Sequence, residues 1–252
     1  MLPFFENNAP IGLAHRGFVG VAENKVSENS IRAFQNAVNL GYTYLETDVQ
    51  GTKDGELVIF HDDDTKRMLG IEGVIKDFTM AEIAKLELSE SDPIPTLVEV
   101  LETFPDQFFN IDIKTEEAIE PFVTVIEKLQ CHDRICVASF ADKRRKAVLS
   151  KLTKRTATSS GVTHVALFKA ASYLPINRNW DFDALNVPLT YKGKDFVTPR
   201  FVTKAKAANL PVYVWTVNDV AQMQKLLDMG VDGIFTDRAD LLKEELIRRN
   251  QW

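Results

Sequence analysis

Short β-like runs alternate with helical patterns along the 252 residues, and this predicts an α/β fold with a parallel sheet. Three observations carry the prediction. Eight of the runs leave room for a following helix, the intervening segments are long enough for parallel crossovers, and the total length suits one closed barrel. The expected architecture is a (βα)8 TIM barrel, one domain over residues 1–252. One extra antiparallel hairpin strand and a small insertion at about 62–95 are expected to elaborate it.

In chain order, the candidate strands are 11–15, 44–50, 57–61, 108–114, 134–139, 154–159, 184–189, 211–217 and 233–236. That is one more than a barrel needs. The segment Gly51-Thr52-Lys53-Asp54-Gly55-Glu56 is too short for a parallel crossover, and Asp-Gly is a hairpin signal. The run 57–61 is therefore read as an antiparallel return strand that carries His61 back beside Glu46 and Asp48. Helical patterns cover 30–40, 96–104, 116–130, 142–151, 163–173, 199–209, 219–229 and 239–249. Asn29 or Ser30, Thr96, Asp219 and Asp240 stand at helix starts, and Gly41 and Gly230 follow helix ends. Within the insertion a helical piece is expected at 79–88, before the Pro93-Ile94-Pro95 break.

Composition narrows the function classes. The chain is 45% hydrophobic and 26% charged, as soluble globular proteins are. A net charge of −6 disfavours a nucleic-acid partner, and the run Lys143-Arg144-Arg145-Lys146 reads as a solvated helix face. The N-terminus lacks the pattern of a secretory signal, and no apolar stretch is long enough to span a membrane, so integral membrane association is not expected. Cys131 and Cys136 lack CxxC spacing, which favours a reducing, cytoplasmic setting. Nothing in the composition specifies an oligomeric state.

The chemistry concentrates at strand ends. Glu46 and Asp48 leave their strand on one face, and Asp112 and Lys114 repeat that spacing on the next barrel strand. Acids aimed at a low-dielectric interior need a cation. Three carboxylates are hard oxygen ligands suited to Mg2+ or Ca2+. A rim salt-bridge network, with Arg16 and Lys114 neutralising the acids, is the alternative. Two of the chain's four histidines, His15 and His61, flank this group and suit general acid–base work. Arg16 supplies a planar donor for phosphate. His132 and His164 have no such surroundings and are expected to be bystanders. Trp215 ends a strand, where it could floor a small-molecule pocket or simply pack in the core. Asp237 is read as capping the last helix with Asp240, and Phe104, Phe108, Phe109 and Phe140 as core.

Taken in order, these motifs resemble the glycerophosphodiester phosphodiesterase family, of the barrel superfamily that includes phosphatidylinositol-specific phospholipase C. The resemblance rests on Ala14-His15-Arg16-Gly17, Glu28-Asn29-Ser30, Tyr44-Leu45-Glu46-Thr47-Asp48-Val49, Thr52-Lys53-Asp54-Gly55 and Val58-Ile59-Phe60-His61-Asp62 with Arg67. It continues through Ile94-Pro95-Thr96-Leu97, Asn110-Ile111-Asp112-Ile113-Lys114, Val214-Trp215-Thr216-Val217-Asn218 and Gly233-Ile234-Phe235-Thr236-Asp237. The resemblance implies a divalent metal, Mg2+ or Ca2+, held by Glu46, Asp48 and Asp112, with His15 and His61 as the acid–base pair. It implies phosphate contacts from Arg16 and Lys114, and a site lined by Glu28 and Trp215. The implied reaction cleaves a small-molecule glycerophosphodiester to sn-glycerol 3-phosphate and an alcohol. The chain departs from the family pattern in carrying Asp rather than Glu at 112, as the related sphingomyelinase D enzymes do. A longer link from Phe18 to Ser27 is the second departure. The alternatives are a phospholipase C- or sphingomyelinase D-like lipid phosphodiesterase and a catalytically silent binding barrel.

Overall fold

Alternation along the strands decides which side chains enter the barrel. The computed structural model describes residues 2–6, 10–21, 26–174 and 179–252; part of the link from Phe18 to Ser27 therefore lies outside the described residues. The first half of the chain forms β1 (Ile11–Ala14), α1 (Ile31–Asn39), β2 (Tyr44–Gly51), β3 (Leu57–Ile59), α2 (Lys66–Leu69), α3 (Met80–Ile83), α4 (Leu97–Thr103), β4 (Phe108–Ile113) and α5 (Ile119–Leu129). The second half forms β5 (Ile135–Ala138), α6 (Asp142–Leu149), β6 (Ala157–Thr158), α7 (Val162–Ala171), β7 (Leu185–Pro188), β8 (Thr190–Tyr191) and β9 (Lys194–Asp195). It ends with α8 (Pro199–Ala207), β10 (Val212–Trp215), α9 (Val220–Met229), β11 (Gly233–Thr236) and α10 (Ala239–Arg248).

Among the described residues, eight parallel strands lie in the order β6-β5-β4-β2-β1-β11-β10-β7. A parallel bridge between Ser159 and Ala184 joins the two ends of that order. The result is the expected (βα)8 TIM barrel. β3 pairs antiparallel with β2, Val49 opposite Ile59, through a turn in which Gly55 has φ +86°. That positive φ is why the turn needs glycine.

Helix ends follow their caps. The Ser30 and Asp219 side chains accept from the Ala33 and Gln222 amides, and Thr96 forms a capping box with Glu99. Asp240 is not a cap: Arg238 precedes α10, and Asp240 sits in the first turn, paired with Arg238. The helix in the insertion stops at Ile83, because residues 87 and 93 then bridge as antiparallel partners. The β8–β9 hairpin was not expected. Its strands are two residues long, and its turn, Lys192-Gly193, carries positive φ at both positions.

Outward-facing Leu45, Val49, Phe109, Ile111 and Ile113 pack under Phe34, Leu101, Phe122 and Ile126 of the helices. Inward-facing Leu13, Tyr44, Tyr213 and Phe235 fill the lower barrel with Phe4. One helix breaks this pattern. Arg145 of α6 is fully buried rather than solvated, because its guanidinium reaches the Asp181 carbonyl at 2.8 Å and the Asp181 carboxylate at 3.1 Å.

Candidate active site

Continued upward, the same alternation places charge at one end. Leu13 leads to His15, Tyr44 to Glu46 and Asp48, Phe108 to Asp112 and Lys114, Tyr213 to Trp215, and Phe235 to Asp237. All of these lie at the C-terminal ends of barrel strands, the end at which barrels of this type carry their sites. Asp48 and Asp112 are direct partners in the β2–β4 register.

The inner layer is an alternating charge network. Lys114 Nζ lies 3.5 Å from Asp48 and 3.4 Å from Asp112. Arg16 reaches Asp48 with Nε at 3.7 Å and Glu28 with a terminal nitrogen at 2.9 Å, while its backbone amide donates to Glu46 at 3.1 Å. The Asn29 side chain donates to Asp48 at 3.1 Å and accepts from the Thr47 hydroxyl at 2.8 Å, which holds the Asp48 carboxylate in place. Burial, and then the neighbouring Asp48 charge, push Glu46 up to about 7. Burial also raises Asp112, against the pull of Lys114. For Lys114 burial acts the other way, but Asp48 and Asp112 outweigh it and hold the ammonium above its ordinary value.

Each mouth histidine has a carboxylate on Nδ1. His15 Nδ1 is 2.6 Å from Asp237, and His15 Nε2 is 3.9 Å from Glu46. Burial opposes the imidazolium, yet Glu46 and the Asp237 hydrogen bond outweigh it, so the net shift is upward. His61 Nδ1 is 2.8 Å from Asp62. The Gln50 side chain donates to the Asp62 carbonyl at 2.7 Å and so pins the returning segment against β2. Arg67 then clamps Asp62 and Glu28 together at 2.6 Å each. Its hydrogen bond draws Asp62 down to about 2. Among the described residues, only Glu28, His61 and Asp62 form a group of three whose ligand atoms all lie within 4.8 Å of one another. Arg67 already neutralises both of those acids, so they are poorer cation ligands than the inner group. The inner group fits a divalent ion better: Asp112 Oδ1 is buried with no hydrogen-bond partner, and Glu46 is held near neutrality only by burial and like charge.

The nine residues singled out from sequence therefore meet in one network, though His61 reaches Glu46 and Asp48 through Glu28 and Arg16 rather than directly. Trp215 joins through Phe140, whose ring lies 5.6 Å from the Trp215 ring and 5.6 Å from Lys114 Nζ. Two expectations are corrected here. Phe140 is a mouth residue, not core, because β5 has ended and its side chain emerges at the rim. Asp237 partners His15 instead of capping α10, and Asn218 holds its other oxygen at 2.7 Å. The inward parity of Phe235 and Asp237 was the available signal. His132 and His164 do have acidic partners, Glu127 for the first and Asp142 and Asp181 for the second, but these tie helix-layer segments together.

The glycerophosphoryl diester phosphodiesterase family model matches residues 15–241. A probable glycerophosphodiester phosphodiesterase 2 of Mycobacterium tuberculosis is 40% identical, over 99% of this chain and 95% of its own length. A phosphodiesterase of Oleispira antarctica, solved in complex with the product sn-glycerol-3-phosphate, superposes with a TM-score of 0.79 at 25% identity, covering 95% of this chain and 97% of that one. A Thermotoga maritima glycerophosphodiester phosphodiesterase gives a TM-score of 0.73 at 26% identity, covering 95% and 100%. No helix among the described residues is long and apolar enough to cross a membrane. With a match that runs from the first site histidine to the start of the last helix, the chain belongs to the glycerophosphoryl diester phosphodiesterase family.

Proposed function

We propose that this protein, acting as one domain over residues 1–252, hydrolyses glycerophosphodiesters to sn-glycerol 3-phosphate and an alcohol. The observation that carries the reading is the pairing of both mouth histidines with a carboxylate on Nδ1, at 2.6 Å in His15 and 2.8 Å in His61. An ionised carboxylate only accepts, so each Nδ1 must donate, and each Nε2 is left to take or give a proton. One histidine accepts the proton of the attacking hydroxyl, which is either water or the substrate's own glycerol hydroxyl; in the second case a cyclic phosphate forms and water, deprotonated in turn, opens it to sn-glycerol 3-phosphate. The other delivers a proton to the leaving alcohol. Arg16 and Lys114 turn from the acids to the phosphate oxygens and stabilise the charge that develops there. Glu28 keeps Arg16 in place, and Trp215 lines the wall.

Glu46, Asp48 and Asp112 would hold one Mg2+ or Ca2+ ion. Such an ion would neutralise the buried acids and add electrostatic pull on the phosphate. A cytoplasmic setting belongs to the same proposal and fits the two buried, unpaired cysteines, Cys131 and Cys136. The test is turnover of a glycerophosphodiester panel with EDTA, Mg2+ or Ca2+, alongside His15→Ala and His61→Ala. Loss of turnover with either substitution, and with EDTA, is expected. Near-normal rates in either variant would overturn the acid–base roles, and activity in EDTA would overturn the metal.

A further inference from the structure

Charge is segregated along the chain. From Lys143 to Lys206 the sequence holds fourteen Lys and Arg residues, three Asp and no Glu, a net charge of +11, while the remainder carries −17. That stretch is one sector of the barrel wall, because β5, β6 and β7 are neighbours and α6, α7 and α8 follow them in turn. Its three acids are already claimed: Asp181 by Arg145 and Lys146, Asp183 by Arg155 and Asp195 by Lys225. Lys143, Lys169, Lys192, Lys194 and Arg200, by contrast, pair with no carboxylate among the described residues. In the middle of this basic sector lies α7. Its inner side, with Val165, Phe168 and Ala171, packs on the barrel. Its outer side runs through Val162, Ala166, Leu167, Ala170 and, just past the helix, Leu174, all exposed, with Thr163 as the one polar residue among them. At the pitch of an α-helix these positions share a single arc of ~140° that is ~18 Å long. A helix apolar on both sides is normally covered on both, yet Val162, Leu167 and Leu174 are 56%, 45% and 53% exposed. Tyr173 marks the border of the arc. The Arg200 guanidinium lies 5.1 Å from its ring and donates to the Ser172 carbonyl at 2.6 Å, and the Lys169 ammonium lies 5.6 Å from the same ring.

We propose that the sector from α6 to α8 docks peripherally on a lipid bilayer with anionic headgroups. The outer arc of α7 sinks between the headgroups, and the cations around it face the lipid phosphates. Charge complementarity decides the occupant. The +11 sector is drawn to an anionic surface and the −17 remainder is repelled by it, which fixes the orientation. A nucleic acid would satisfy the cations but leave the apolar arc in water. A second copy meeting the same face would set cation against cation. A bilayer surface meets both halves of the pattern, as it does for interfacial helices with an apolar face and a basic rim. Tyr173, with a guanidinium and an ammonium on its ring, is the kind of aromatic residue found at the level of the headgroups. The helix starts at the barrel mouth, where the Val162 amide donates to the Phe140 carbonyl at 3.0 Å. Docking on the flank of α7 therefore leaves the mouth open along the membrane rather than pressed against it.

Vesicle co-sedimentation tests this without turnover, so its outcome is independent of the hydrolysis reading. Vesicles of phosphatidylcholine alone are compared with vesicles of phosphatidylcholine mixed with phosphatidylglycerol. The proteins are the wild type, a Lys143→Gln, Lys194→Gln double variant and a Leu167→Ser, Leu174→Ser double variant. All four positions are exposed, and thermal melts confirm that each variant is folded. The wild type is expected to bind the mixed vesicles and not phosphatidylcholine alone, with affinity falling as salt is added. Removing a cation near the surface costs about fivefold, so the lysine variant should bind about twentyfold more weakly. Each leucine is half covered already, so its further burial is also worth about fivefold, and the leucine variant should weaken by a similar factor. Equal binding to the two kinds of vesicle, or none to the mixed ones, overturns the proposal. A leucine variant that binds as the wild type does overturns it too, because the arc of α7 then contributes nothing. So does a dimer in sedimentation equilibrium that the leucine variant dissociates while vesicle binding is unchanged, which would make the face an interface between copies. Capture of a short DNA duplex in place of the vesicles would assign the cations to a nucleic acid and likewise overturn it.

Discussion

Asp237→Asn alters one atom of the site and has a determinate consequence. Asn218 cannot turn its amide, because its oxygen accepts from the Asp237 backbone amide at 2.9 Å and from the Thr236 hydroxyl at 3.1 Å. Its NH2 group therefore faces residue 237, where it now donates to Asp237 at 2.7 Å. An asparagine at 237 must offer its oxygen to Asn218, which leaves its own NH2 against His15 Nδ1. That nitrogen then accepts, the ring proton moves to Nε2, and the nitrogen nearest Glu46 can no longer take a proton. The loss expected is the contribution of general acid–base catalysis, about 10²–10⁴ in kcat/KM. Stability should change by no more than about 1 kcal/mol, since the Asp237 side chain is 28% exposed. Asp237 is also one of the groups holding the His15 imidazolium up, so the histidine limb of the pH profile moves to lower pH in the variant. Kinetics on glycerophosphocholine and ring nitrogen NMR read both effects. Asn218→Ala in the variant background frees the new amide to turn and recovers part of the rate. A single variant within threefold of wild type, or one that keeps the proton on His15 Nδ1, would refute the reasoning.

Three further outcomes are expected. In EDTA, stability falls as pH rises from about 4.5 toward 7, because Glu46 binds its proton more tightly folded than unfolded and that advantage is lost as it ionises at about 7. The raised His15 value acts in the same direction, and added Mg2+ or Ca2+ reverses the fall; thermal melts across the range that stay flat would contradict this. Arg145→Met leaves the Asp181 carbonyl without its buried donor while Asp142 and Asp181 keep His164 and Lys146, so a cost of about 2 kcal/mol is expected, with KM unchanged. A denaturant titration showing less than about 1 kcal/mol would mean that the buried guanidinium carries little. Arg67→Ala shifts the melting temperature little, because the side chain is half exposed, but lowers kcat at least tenfold by letting Asp62 and Glu28 repel one another, which displaces the partners of His61 and Arg16. A rate unchanged by the substitution would show that the clamp is ornamental.

The barrel was legible because its evidence is periodic. Strand parity and crossover length recur around the barrel, and Ser30, Thr96, Thr198 and Asp219 each cap a helix, so small errors at single positions average out. The elements that escaped are those too short to repeat. The β8–β9 hairpin has two residues in each strand, and Lys192-Gly193 is a weak turn signal beside Asn-Gly or Asp-Gly. Arg145 escaped for a different reason. A run of four basic residues reads as solvated on any scale that scores residues singly. Its burial depends on Asp181, which lies 36 residues away in sequence.

At the site, strand spacing could place residues on a face but could not say which partners would claim them. Glu28, Glu46, Asp48, Asp62, Asp112 and Asp237 all stand at or beside the mouth, against three permanent cations, Arg16, Arg67 and Lys114. Arg67 is committed to Glu28 and Asp62, and Asp237 to His15. The unmet negative charge is therefore concentrated on Glu46, Asp48 and Asp112, where burial makes it most costly. A phosphodiester is itself an anion, and two side-chain cations already engaged with carboxylates give it little reason to enter. A divalent cation on those three acids would release Arg16 and Lys114 to the substrate. On this reasoning the ion governs substrate binding as well as the chemical step. Its removal should then weaken binding of a non-hydrolysable phosphodiester as measured by calorimetry, and undiminished affinity in EDTA would show that the two cations suffice alone.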